Sequence, residues 1–308
     1  MKIDVSTTLS AFDKEGAVVL DEFLKVEEVD QLLLDFKGAL VENLNNNIAG
    51  SVFYLQQKFV SQTLVHSKMV LEILTGDDFF KLCQAYLTQP VIKATRYYET
   101  GPGGVSMWHH DEKNDGYSSL GMIAVLYLSD VETEEDGPFE FIPGSHLRSL
   151  NMTDDEFFVK KIEDKFNSQK VTCIGKRGTL ILADSRIIHR ARPHNNRTPR
   201  TSLFVQISRL DERVYRERLL VNPSFIDERI VRDRTLLDFL GFGLPSDEHI
   251  YPYTSVEHMP MNKEVIQKIW LWFISNLKRE IFEFLPVSLK KFIRKCIARP
   301  VDYDAQKR

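Results

Sequence analysis

Between residues 91 and 207 the chain is a succession of short apolar runs separated by turns that carry glycine or proline. Residues 91–99, 105–111, 120–128, 138–142, 170–174, 178–183 and 201–207 each read as a strand, rich in β-branched and aromatic residues. Many short strands with Gly and Pro turns argue for a sandwich or a barrel. Leu120-Gly121-Met122-Ile123-Ala124-Val125-Leu126-Tyr127-Leu128 is apolar almost throughout, which implies a buried strand ending at Ser129-Asp130.

Helices precede this β region. Residues 12–20 read as a polar turn into a short strand, with Gly16 as the breaker. Val29, Leu32, Leu33 and Phe36 lie at helical spacing, so an amphipathic helix is expected from residue 26 to about 43. Residues 48–66 lack a pattern and are expected as a loop. Residues 69–74 and 77–87 read as two further helices, the second capped by Asp77 or Asp78, and Pro90 stops the block. An acidic helical insertion is expected over 153–167. The fold class is therefore mainly β with flanking helices (α+β).

Chemistry concentrates in Trp108-His109-His110-Asp111 and in Ala183-Asp184-Ser185-Arg186-Ile187-Ile188-His189. His109 and Asp111 are two residues apart, so on a strand both side chains leave the same face. His189, brought in from a distant strand, would complete two imidazoles and one carboxylate on one side of a metal. That set suits Fe(II), because it leaves the opposite positions open for a cosubstrate and O2. His-x-Asp alone is a weak motif; its surroundings decide.

Composition excludes several classes. No apolar run approaches the ~20 residues of a membrane-spanning helix, and the first residues lack a signal peptide's apolar stretch. Cys83, Cys173 and Cys296 are odd in number, far apart and outside any Cys-x-x-Cys spacing, which favours a reducing cytoplasm over a disulfide framework. The net charge is -4, and no nucleic-acid partner is expected.

Asp136-Gly137-Pro138-Phe139-Glu140-Phe141-Ile142-Pro143-Gly144-Ser145-His146 is followed by Gly178-Thr179-Leu180, by Asp184-Ser185 and His189, and by Arg200-Thr201-Ser202. With His109-x-Asp111 in front, this order resembles the phytanoyl-CoA dioxygenase family of Fe(II)/2-oxoglutarate oxygenases over about residues 10–210. The resemblance implies a double-stranded β-helix, a jelly-roll or cupin-like barrel. It implies His109, Asp111 and His189 as iron ligands and Arg200 as the clamp for the far carboxylate of 2-oxoglutarate.

The chemistry agrees. A guanidinium on the next strand can grip a carboxylate through two hydrogen bonds. Lys93 or Arg96 is the alternative cation. Ser202 shares the face of Arg200 by strand alternation and offers a hydroxyl. Members of the family often place an aromatic or polar group about eighteen residues after the first ligand, where Tyr127 stands; a core tyrosine is the equal alternative. Packing is the expected role of Trp108, and His110 is expected to point away from the metal. A structural hydrogen bond is expected at His146, and His194 is expected in solvent. His66, His249 and His258 have no partner spacing.

The implied activity is a dioxygenase that hydroxylates a small-molecule or lipid-linked substrate, with O2 consumed and succinate and CO2 released. Asp111 argues against halogenation, which needs a small residue in its place. The alternative is a non-redox metal cupin or a catalytically silent binding barrel, which would have no reason to keep Arg200. Substrate contact is expected from residues 48–66, 112–119 and 153–169.

The expected division is a catalytic core over 1–210 and a helical extension over 211–308. From residue 263 onward there are eleven Lys and Arg against five Asp and Glu. Ile266, Ile269, Trp270, Phe273, Ile274, Leu277, Ile281 and Phe284 keep helical spacing there. This helix either packs on the barrel, pairs two chains, or lies on a membrane surface.

Overall fold

The computed structural model describes residues 3–46, 51–54, 57–102, 108–111, 120–147, 160–210 and 219–244, with side chains described except at 40–59 and 160–163. All lie within one compact unit, Met1–His258. The expected helix beyond residue 263 and its basic charge lie outside the described residues.

The fold is mixed α+β with antiparallel sheets. The larger sheet is built from β1 (Ala17–Leu20), β2 (Ser51–Tyr54), β3 (Gln57–Ser61), β4 (Pro90–Thr100), β5 (Gly121–Tyr127), β8 (Leu180–Asp184) and β10 (Arg200–Arg209) in the order β1-β8-β5-β10-β4-β3-β2. The smaller sheet comprises β6 (Phe139–Phe141), β7 (Val171–Cys173) and β9 (His189–Ala191), ordered β7-β6-β9.

Strand alternation sorts the apolar residues into two cores. Ile123, Val125 and Tyr127 of β5 and Ile181 and Ala183 of β8 meet Phe139 and Phe141 of β6 between the sheets. Met122, Ala124 and Leu126, from the other face of β5, join Leu203, Val205 and Ile207 of β10 against helices. This is why β5 is apolar on both faces.

Those helices are α1 (Val5–Glu15), α2 (Val26–Asn46), α4 (Lys68–Thr75) and α5 (Asp77–Leu87), with α3 (Thr63–His66) leading into α4. In α2 the expected stripe is realised: Val29, Leu32 and Phe36 are buried, and the Phe36 ring stacks on Tyr97 of β4 at 4.7 Å. After β10, α7 (Glu228–Arg232) and α8 (Arg234–Phe239) bury Ile230, Leu236 and Phe239 in the same core. On the smaller sheet, α6 (Lys160–Gln169) supplies Phe166 to a cluster with Trp108, Ile142 and Ile188.

Several expectations differ from the structure. Residues 5–15, read only from Phe12 onward and as a turn, form α1, capped by the Asp4 side chain on Thr7 N at 3.1 Å. It ends at Gly16, whose φ of +80 and approach to His146 leave no room for a Cβ, which would stand 2.3 Å from Nδ1. The stretch expected as a loop contains the β2–β3 hairpin and α3. Its connecting residues, Leu55-Gln56, carry none of the Asn-Gly or Asp-Gly signals of a hairpin. Gly76, not Asp77 or Asp78, is the N-cap of α5; the two aspartates occupy its first turn, where the helix dipole favours them.

Candidate metal centre

Only part of the expected strand 105–111 is described, and it is not a regular strand. His109 makes one antiparallel bridge with His189, His109 N donating to His189 O at 2.9 Å and His189 N to His109 O at 2.8 Å. Beyond it the backbone turns, and Asp111 N donates to Ser185 O at 3.0 Å. Convergence of the two side chains therefore comes from one bridge and a turn rather than from strand alternation.

His109 Nε2 lies 3.3 Å from Asp111 Oδ1, and His189 Nε2 lies 3.8 Å from the same oxygen. One ligand atom from each of the three residues falls within 4.8 Å of the others. Neighbouring donors at ~2.1 Å from a first-row metal stand ~3 Å apart, so small rotations would seat an ion among them. The side chains are graded in exposure: 37% at His109, 15% at Asp111 and 6% at His189.

Protonation suits cation binding. Burial, reinforced by the charge of His109, pushes His189 down to about 4, with Asp111 opposing, so its imidazole is neutral at physiological pH. Nδ1 of His189 lies 3.0 Å from Ile187 O and must donate there, which leaves the Nε2 lone pair facing Asp111. At Asp111 burial acts upward. The His109 hydrogen bond, the charges of His189 and His109 and the Gln206 hydrogen bond outweigh it and hold the carboxyl below the usual range.

Arg200 is buried, 9% exposed, and its Nε has no hydrogen-bond partner among the described residues. Burial lowers its pKa, and Tyr127 acts in the opposite direction. Ser202 is buried on the same face of β10, opposite Tyr127 of β5. The Tyr127 hydroxyl is already engaged: it donates to Cys173 O at 3.0 Å and accepts from Phe139 N at 2.8 Å. Phe139 links that region to the triad, since its ring stacks on His189 at 5.2 Å. Of the alternative cations, Lys93 is the extra residue of a bulge in β4, and Arg96 stands opposite Phe204 with Nη1 3.5 Å from Tyr98 OH.

Trp108 packs as expected, edge-on to Phe166, with Arg190 4.4 Å above its ring. The turn role of His146 is seen in its Nε2, 3.3 Å from Asp13 O. His194 is a correction: it is 1% exposed, with Nδ1 3.0 Å from Asp136 O and Nε2 2.9 Å from Thr198 O. A bridge between Asp136 and His194 draws the polar loop inward, which its composition does not reveal.

Gln206 was missed by sequence reasoning, although its Nε2 donates to Asp111 Oδ2 at 2.8 Å. The signal was available: residues 200, 202, 204 and 206 alternate onto one face of a strand. The backbone carbonyls of Ser185 and Ile187, which hold two of the three candidate ligands, leave no mark in a sequence.

The model of the family described as phytanoyl-CoA dioxygenase matches residues 12–202. The chain belongs to the phytanoyl-CoA dioxygenase family. It is thereby a 2-oxoglutarate-dependent non-haem iron dioxygenase. Ectoine dioxygenase of Sphingopyxis alaskensis is 24% identical over 242 residues, covering 67% of this chain and 76% of that protein. Among solved structures, the α-ketoglutarate-dependent carbocyclase SnoK of nogalamycin biosynthesis has a TM-score of 0.56 at 17% identity, over 68% of this chain and 88% of its own. HygX of Streptomyces hygroscopicus, solved with nickel and 2-oxoglutarate, has a TM-score of 0.55 at 16% identity, over 69% and 90%. A further HygX structure also contains hygromycin B. At these identities the two solved proteins share the fold with this family member.

Proposed function

We propose that this phytanoyl-CoA dioxygenase family member is a hydroxylase of a small molecule, with Fe(II) held by His109, Asp111 and His189 and 2-oxoglutarate anchored by Arg200. In this reading the two antiparallel sheets are the two halves of a double-stranded β-helix, with residues 1–210 as the catalytic core. One observation carries it: the buried Arg200 has no hydrogen-bond partner for its Nε among the described residues, and it lies on the strand that also reaches Asp111. Burying a cation is costly unless it is paired and hydrogen-bonded, and an unpartnered Nε suits an anion that arrives from outside the chain. A silent barrel gains nothing from that cost.

The donor set fits iron, and the open positions fit a chelating 2-oxo acid. When bound, iron would activate O2 with two electrons from 2-oxoglutarate, which would leave as succinate and CO2; one oxygen atom would go to succinate and the other to the substrate. The chain's own residues bind, orient and exclude water. His189, neutral and fixed by Ile187 O, offers Nε2, and Asp111 stays ionised and offers Oδ1. Arg200 would hold the far carboxylate, and the Ser202 hydroxyl would add a donor beside it. The Phe139 ring against His189 and the apolar residues between the sheets keep bulk water from the buried side. An intact Asp111 keeps the third protein position occupied, which favours hydroxylation over halogenation.

The test is 2-oxoglutarate turnover by the Fe(II)-loaded full chain, followed as succinate, across a panel of small metabolites and acyl-linked compounds. A compound that stimulates succinate release and gains one oxygen atom supports the proposal. Stimulated release with a desaturated or cyclised product would replace hydroxylation by a related reaction. Absence of any succinate, with iron bound, would contradict the oxygenase assignment for this chain.

A further inference from the structure

We infer that Gln206 is a positioning residue of the metal centre, which holds the Asp111 carboxylate so that a single oxygen, Oδ1, faces the metal. The inference rests on the assignment of His109, Asp111 and His189 as the metal ligands. It goes beyond that assignment by naming the residue that orients the carboxylate.

The two oxygens of Asp111 have different surroundings. Oδ1 is the atom near both imidazoles, 3.3 Å from His109 Nε2 and 3.8 Å from His189 Nε2. Oδ2 accepts from Gln206 Nε2 at 2.8 Å. An ionised carboxylate only accepts hydrogen bonds, so the amide must present its NH2 and not its carbonyl to Asp111. The amide orientation thus follows from the chemistry of its partner.

Strand pairing places the Gln206 main chain independently of Asp111. Gln206 pairs with Ile123 of β5 on one side and with Ala94 of β4 on the other. Between Gln206 and Ile207 the register to β4 shifts, leaving Lys93 as the unpaired residue. A bulge of this kind bends the strand and re-aims the side chains beside it. The Gln206 main chain is therefore held between two strands, next to a bulge in β4. Asp111 is pinned on its backbone too, through its N–H to Ser185 O. The carboxylate has its main chain fixed at one end and one oxygen fixed at the other.

The chemical consequence concerns coordination number. A carboxylate free to rotate can chelate a metal with both oxygens and take up a position that the cosubstrate or O2 needs. With Oδ2 drawn toward the Gln206 amide, Oδ1 is the oxygen turned to the two imidazoles, and chelation by both oxygens would require the carboxylate to rotate away from its donor. A hydrogen-bonding partner of a ligand typically changes metal affinity by 10- to 100-fold, which sets the scale of the effect.

The experiment uses the full chain with Gln206→Met, which keeps the length of the side chain and removes the donor. Gln206→Asn, an amide one methylene too short to reach, is the second variant should the first fail to fold. Fe(II) affinity is measured anaerobically by competition with a chelator, and the metal geometry is read from the visible spectrum of the Co(II)-substituted protein. The expected result is a loss of roughly 10- to 100-fold in Fe(II) affinity with a changed Co(II) band shape and intensity, at an unfolding temperature close to that of the parent. Fe(II) affinity within twofold of the parent together with an unchanged Co(II) spectrum would overturn the inference. A parent protein that bound no Fe(II) would instead overturn the assignment of the triad, so the two failures are distinct.

Discussion

Nδ1 of His189 lies 3.0 Å from the carbonyl oxygen of Ile187, two residues earlier in the chain, so one peptide group fixes Nε2 as the nitrogen that faces Asp111. His189→Ala should therefore lose Fe(II) as well as turnover, because two remaining donors hold the ion poorly. Iron stoichiometry by mass spectrometry under native conditions checks this, and a full complement of iron in the variant would remove His189 from the site.

The same residue gives the metal-free protein a pH signature. His189 has a folded pKa of about 4, below its ordinary value of 6.5, so the unfolded chain takes up its proton first. The stability it contributes is complete above pH ~6.5 and is lost as pH falls toward 4, with a slope of up to ~1.4 kcal/mol per pH unit. Denaturant melts of the metal-free chain between pH 7 and pH 4 measure it. His189→Phe should flatten that slope; a slope unchanged by the substitution would show that other groups carry it.

Arg200→Ala should weaken 2-oxoglutarate binding while leaving iron in place. Truncating one partner of a buried charge pair costs ~2–5 kcal/mol, or roughly 30- to several-thousand-fold in affinity. Calorimetric titration of the metal-loaded variant decides between residues. An unchanged affinity would move the clamp to Arg96 or Lys93.

Glu140 is the charge centre of the smaller sheet. Its carboxylate is fully buried; it accepts from Arg190 Nε at 2.6 Å and Arg192 Nη1 at 3.2 Å, and it also meets Lys170. Burial alone would raise its pKa, but Lys170 and Arg190 hold it below the usual value. Its stability contribution is present above the free-carboxylate pKa of 4.5 and is lost as pH falls below that value. Glu140→Gln removes the carboxylate that Lys170, Arg190 and Arg192 share; Lys170 and Arg192 keep Glu134, so the cost is at most ~3–5 kcal/mol. Thermal melts should show a drop of several degrees, and a change under one degree would mean that the network is held by solvent.

Asp184 does comparable work beside the triad. Its buried carboxylate accepts from Arg186 N at 2.7 Å, pairs with the Arg186 guanidinium and meets the Tyr86 hydroxyl. The turn it braces presents Ser185 O to Asp111 and Ile187 O to His189. Asp184→Ala should cost both stability and Fe(II) affinity, and loss of stability with unaltered metal affinity would separate the turn from the site.

Much of this was legible in the residues. The apolar periodicity of α2 and the unbroken apolar run of β5 arise from burial, which acts on side-chain type and so writes itself into sequence. His109, Asp111 and His189, which the structure brings together, stood out in the sequence because metal ligation demands particular side chains. The β2–β3 hairpin did not, since its turn lacks Gly or Asn, and His194 did not, because one long-range bridge takes it out of solvent. Alternation along β10 put Gln206 on the face of Arg200, but its pairing with Asp111 emerges only from the fold.

The most direct measurement is the visible spectrum of the full chain on anaerobic addition of Fe(II) and 2-oxoglutarate together. Chelation of the 2-oxo acid by iron at His109, Asp111 and His189 should produce a weak charge-transfer band that saturates at one equivalent of each. That band should be absent from Asp111→Ala. In Arg200→Ala it should appear only at a much higher 2-oxoglutarate concentration. A parent protein that binds iron yet gives no band with 2-oxoglutarate would contradict the account.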